Sequence, residues 1–119
     1  MKKTLVIGAS TNPERYSFKA ITMLREFGHP VVAIGLKQGE VAGVLFETTK
    51  IPFEEIDTVT LYLNPKRQVD YYDYILSLKP KRVVFNPGTE NPEFYKKLDE
   101  QGIAHIEACT LVLLRIGQY

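Results

Sequence analysis

Thr4-Leu5-Val6-Ile7-Gly8-Ala9-Ser10-Thr11-Asn12-Pro13-Glu14-Arg15-Tyr16-Ser17 decides the reading of this chain. The opening Thr4 to Ile7 is an apolar run of the kind that forms a buried strand. A turn of small residues, Gly8 to Asn12, follows, and an amphipathic helix comes after it. That order sets the turn at the carboxyl end of a first strand and aims it at a helix N-terminus. Unpaired backbone N–H groups and the positive end of the helix dipole make such a turn suitable for an anion such as a phosphate.

Outward from that stretch, strand-like and helix-like segments alternate, which argues for an α/β fold with a largely parallel sheet. Ala20, Ile21, Leu24 and Phe27 recur at helical spacing and place the first helix at about Ser17 to Phe27, with Ser17 as its cap and Gly28 at its left-handed end. Pro30 to Gly35 reads as a second strand and Val41 to Phe46 as a short third. Ile51 to Ile56 reads as a turn of helix before a fourth strand at Thr58 to Leu63. Lys66 to Leu78 reads as a helix that turns Val69, Tyr72, Ile75 and Leu76 inward, and Pro80 closes it. Arg82 to Phe85 is a fifth strand. Asn91-Pro92-Glu93 starts a helix that ends at Gly102. Ile103 to Ile106 is a sixth strand, and Thr110 to Ile116 a short terminal helix.

This rhythm predicts a Rossmann-type doubly wound sheet of order 3-2-1-4-5-6, with helices on both faces. Ligands of such sheets bind outside the carboxyl ends of the strands at the switch point, here between the first and fourth strands. The unusual loops fall at that edge: Gly8-Ala9-Ser10, Gly35-Leu36-Lys37-Gln38-Gly39, Asn64-Pro65 and Asn86-Pro87-Gly88-Thr89.

Composition narrows the function classes. A chain of 119 residues fits one domain, read as spanning 1–119. A formal charge of +1 offers no broad basic face for nucleic acid. No apolar run approaches the roughly 20 residues that span a bilayer, and the apolar run after Lys2-Lys3 is too short for a signal peptide. The single cysteine, Cys109, suits a reducing cytoplasm, and one Cys with two His makes no structural zinc cluster.

The first turn matches neither the G-x-G-x-x-G dinucleotide fingerprint, which needs glycines where Ser10 and Pro13 stand, nor the P-loop. Gly8, Ala9, Ser10, Thr11 and Asn12, with Arg15, Tyr16 and Ser17, are instead candidates to wrap one diphosphate. The alternative is that Ser10 and Asn12 only cap the local turn and Arg15 is solvated. NAD-binding domains place an acid at the end of the second strand, whereas this chain has Leu36-Lys37. A cation there favours a phosphorylated ribose, as in NADP or coenzyme A. Cys109 is a nucleophile only if something activates it, and neither His29 nor His105 is placed to do so. Among Glu90, Glu93 and Glu107 no acid–base pair stands out.

The run Val6-Ile7-Gly8-Ala9-Ser10 to Pro13-Glu14-Arg15-Tyr16-Ser17 resembles the opening of the small stand-alone CoA-binding proteins. Asn86-Pro87-Gly88 and Glu107-Ala108-Cys109-Thr110 are similar too, and the resemblance covers essentially the whole chain. That family shares its fold with the CoA-binding domain of the succinyl-CoA synthetase α subunit. The resemblance implies that Gly8 to Ser17 hold the CoA diphosphate. It implies that Lys37, beside Gly35, meets the adenosine-phosphate end, that Asn64 and Pro65 approach the adenine or pantetheine arm, and that Asn86, Pro87 and Gly88 lie on the pantetheine side. The chain lacks the synthetases' phosphohistidine domain and nucleotide-binding partner subunit. It also has Asn86-Pro87-Gly88 where many stand-alone relatives carry a Gln-x-Gly loop. The expectation is a cytoplasmic, non-catalytic binder of coenzyme A or an acyl-CoA, acting alone, as a homo-oligomer or with an acyl-CoA enzyme. An NADP-dependent enzyme and a redox module joining Cys109 to the CoA thiol are the alternatives.

Overall fold

The computed structural model describes every residue from Met1 to Tyr119. Strand β1 (Thr4–Ala9) lies between β2 (Val31–Gly35) and β5 (Thr58–Leu61), and β6 (Arg82–Phe85) and β7 (Ala104–Glu107) continue the sheet beyond β5. All four pairings in this five-stranded sheet are parallel. Strands β3 (Gly39–Val41) and β4 (Val44–Phe46) form a separate antiparallel hairpin.

Helices α1 (Tyr16–Glu26) and α5 (Thr110–Arg115) cover one face of the sheet, and α3 (Tyr72–Leu78) and α4 (Pro92–Glu100) the other. Alternation along β1 feeds both cores. Leu5 and Ile7 pack with Ile75, Phe94 and Leu98 on one side, and Val6 packs with Ile21, Leu24 and Leu114 on the other. Ala9 shares the face of Val6 although the two are three positions apart. A register shift between Ile7 and Ala9 explains this, because Gly8 is the extra residue of a bulge. The result is an α/β Rossmann-like fold.

Four local expectations are corrected. The third strand does not join the sheet, so the order is 2-1-4-5-6 in strands counted from the sequence. Only Leu36-Lys37-Gln38 separate β2 from β3, and a parallel crossover needs a dozen residues or more. The segment closes instead as a hairpin through Ala42 and Gly43, at φ 50° and 81°, the pair of left-handed residues that a type I′ turn requires. Only Glu47 reaches the empty place, accepting from Gly35 N–H at 3.0 Å.

Residues 51–56 form no helix. Ile51 precedes Pro52, which disfavours helical backbone, and the Phe53 N–H closes a tight turn onto Ile51 O at 2.8 Å. The helix expected from Lys66 to Leu78 is divided into α2 (Pro65–Gln68), a 3₁₀ turn at Val69–Tyr71, and α3. Gln68 goes inside just before the tighter winding begins, and Val69, the first residue of that turn, is exposed. Ser17 does not cap α1. Arg15 holds the cap position, and Ser17 is buried inside the first turn.

Candidate functional site

A cleft of about 660 Å³ opens along the carboxyl ends of β2, β1, β5 and β6. Gly8 sets its floor. At φ +98°, it lets β1 pass so close to β5 that a Cβ would stand 3.0 Å from the Tyr62 carbonyl carbon. Beyond the bulge, Ser10 Oγ accepts the Asn12 N–H at 3.1 Å, and Asn12 Oδ1 accepts the Glu14 N–H at 3.0 Å. Both acceptors therefore shape the turn. The Ser10 hydroxyl hydrogen and the Asn12 amide donors remain, which is the complement an anion needs.

The start of α1 is treated differently from the helix starts beside it. Asn64 caps α2 by accepting from Arg67 N–H, and Asn91 caps α4 by accepting from Phe94 N–H. At α1 the cap position is an arginine, which has no acceptor, and no side chain bonds the first turn. Tyr16 and Ser17 of that turn line the cleft.

The loop after β2 forms the adjoining wall. A Cβ on Gly39 would lie 2.4 Å from Thr11 Cγ2, and one on Gly35 would lie 2.7 Å from Ala9 O. These glycines let the second loop press on the first turn, and Lys37 and Ser10 line the same hollow. Gly8, Ala9, Ser10, Thr11, Asn12, Arg15, Tyr16, Ser17, Lys37, Asn64, Pro87 and Gly88 all line it.

Gly35, Pro65 and Asn86 lie outside the lining. Asn86 is buried, with Nδ2 donating to Thr60 Oγ1 at 2.7 Å and Leu61 O at 2.9 Å and Oδ1 accepting from Thr110 N–H at 2.9 Å. It fastens the end of β6 to β5 and α5.

Thr89 of the Asn86-Pro87-Gly88-Thr89 loop lines the cleft as well, and the sequence reading missed Phe46, Tyr62, Leu63 and Arg67 among the lining residues. The Tyr62 hydroxyl is buried without a hydrogen-bond partner. Burial pushes its pKa up, so it stays protonated. Arg67 completes the electrostatics. The chain as a whole carries 15 basic and 14 acidic side chains, yet the cleft holds Arg15, Lys37 and Arg67 and no carboxylate. None of the three makes an ion pair or a side-chain hydrogen bond within the protein. The lining of the cleft is therefore net positive. No carboxylate or histidine lines it, and no group of His, Cys, Asp and Glu is arranged to hold a metal.

The model of the CoA binding domain matches residues 2–115. A crystal structure of an uncharacterised protein is 49% identical, with TM-score 0.97 over 100% of this chain and 98% of that one. A hypothetical protein from Pyrococcus horikoshii OT3 is 30% identical, with TM-score 0.82 over 96% of this chain and 82% of that one. A Thermus thermophilus protein, cell-free ID.343, is 25% identical, with TM-score 0.87 over 99% and 90%. No curated protein matches the chain closely enough to count as a relative. Family match, near-complete overlap with these structures and a cationic cleft at the switch point agree: the chain belongs to the CoA-binding domain family.

Proposed function

We propose that the cleft binds coenzyme A or an acyl-CoA and that the domain, 1–119, acts as a binding module rather than as a catalyst. The observation that carries this is the charge of the lining, three unpaired cations and no acid at the uncapped start of α1. The diphosphate sits at the turn Gly8 to Ser17, where backbone N–H groups, the Ser10 hydroxyl and Arg15 donate to it. Lys37, one loop away, meets the 3′-phosphate of the ribose. The arm then runs over Asn64 toward Pro87 and Gly88. The lining carries no carboxylate and no histidine, the commonest general acid–base groups, which favours binding alone over a hydride-transferring enzyme. Cys109 is not a lining residue, which weighs against a mixed disulfide with the CoA thiol.

Titration calorimetry of Ser10→Ala and Arg15→Ala with CoA tests the assignment. Each variant loses a charge-assisted hydrogen bond and binds about tenfold more weakly, and Arg15→Ala, whose side chain has no partner inside the protein, melts at the wild-type temperature. Unchanged affinity in both would remove the diphosphate from this turn.

A further inference from the structure

Arg67 lines the same cleft as Arg15 and Lys37. It lines the cleft from α2, directly after β5, and β5 is the neighbour of β1 in the sheet. The segments carrying Arg15 and Arg67 therefore follow neighbouring strands and lead to the same cleft.

The backbone under Arg67 is held more firmly than a four-residue helix requires. Its N–H donates to Asn64 Oδ1 at 3.0 Å. The next residue, Gln68, is fully buried and spends both amide hydrogens on Leu63 O and Thr89 O, each at 2.8 Å. Asn91 Nδ2 donates to Gln68 Oε1 at 2.9 Å. The loops after β5 and β6 are thereby tied together through one side chain, and its immediate neighbour is a guanidinium with no partner inside the protein. A planar fork of donors on a fixed platform is the arrangement that grips two oxygens of a phosphate at once.

We infer that Arg67 is the second jaw of a diphosphate clamp, so that the cleft selects a phosphoric anhydride over a phosphate monoester. This rests on the proposed binding of CoA at the same cleft, and it adds a specificity-determining residue on the wall the first turn does not supply. Arg15 and the start of α1 hold one phosphate of the pair, and Arg67 holds the other. Lys37 is left free for the phosphate on the ribose.

The test is calorimetry of wild type and Arg67→Gln with two ligand pairs. In the first pair, dephospho-CoA carries the diphosphate and 4′-phosphopantetheine a single phosphate. In the second, ADP and AMP make the same comparison without the arm. Arg67→Gln weakens dephospho-CoA and ADP about tenfold and leaves the monophosphates within twofold of wild type. Arg67→Lys, which keeps the charge and loses the fork, recovers only part of the loss. Equal losses for diphosphate and monophosphate, or no loss for either, overturn the clamp. If wild type binds ADP with this Arg67 dependence but not CoA or dephospho-CoA, the clamp stands and the CoA reading falls. If wild type binds CoA and Arg67→Gln binds it equally well, the CoA reading stands and the clamp falls.

Discussion

His29 shows how one residue couples the fold to pH at the edge of the sheet away from the cleft. Its Nδ1 accepts the Lys2 N–H at 3.0 Å, and its ring meets Tyr119 edge-on at 4.9 Å. A proton on Nδ1 would turn that acceptor into a donor facing a donor. Burial, and then the charge of Lys2, hold the imidazole pKa below 6.5. A folded-state pKa below the unfolded one means that the unfolded chain takes up protons first. The stabilisation is therefore complete above 6.5 and is lost as pH falls through the lower folded value. His29→Asn, which keeps a short polar side chain, should lose less melting temperature than wild type between pH 8 and pH 5. Parallel losses in the two proteins would show that His29 does not set the acid slope. At this scale the sequence was partly readable. Gly8 stood out because a glycine ending a first strand announces a turn, and Lys37 because it replaces an expected acid. Arg67 did not, because one cation within Lys66-Arg67-Gln68 looks like any solvated helix face until the fold brings it to the same cleft as Arg15.

Elements that announce their own ends were legible. Asn91-Pro92-Glu93 begins α4 as its sequence predicts, with Asn91 Oδ1 accepting from Phe94 N–H at 3.2 Å. The apolar runs of β1, β2, β5 and β6 fall where a buried parallel sheet requires them. Where tertiary context outweighs local pattern, the reading failed. The hairpin of β3 and β4 carried its signal in Ala42-Gly43, but a two-residue turn is easily read through as one strand. The 3₁₀ break after α2 has no mark of its own. It arises where Gln68 is drawn inside to serve Leu63, Thr89 and Asn91. That buried amide is what makes α2 a platform. Gln68→Met keeps the volume but strands two carbonyls and an amide, which should cost about 3 kcal/mol in a denaturant titration. Val69→Ala, one residue on at an exposed site, should change stability by less than about 0.5 kcal/mol. A Gln68→Met variant as stable as wild type would show that the loops after β5 and β6 are held by something else.

At the scale of the whole molecule, the sheet gathers dispersed residues into one cleft. Ser10, Lys37, Asn64, Arg67 and Gly88 come from four separate loops, and parallel pairing delivers all four to the same edge. The switch-point rule located that edge from the sequence, since it depends only on strand order and right-handed crossovers. Losing the third strand from the sheet did not move it, because β2, β1, β5 and β6 are the strands that carry the loops. The charge of the cleft was not legible in the same way. A net charge of +1 conceals three cations on one wall or the other with no acid between them.

That local excess is what a ligand with several phosphates would read, and each phosphate should count separately. Calorimetry of the wild-type protein with CoA and with dephospho-CoA tests this most directly. CoA should bind about tenfold more tightly, with the advantage shrinking as salt is raised and disappearing in Lys37→Gln. Equal affinity for the two ligands, or no binding of either, would contradict a cleft built for coenzyme A.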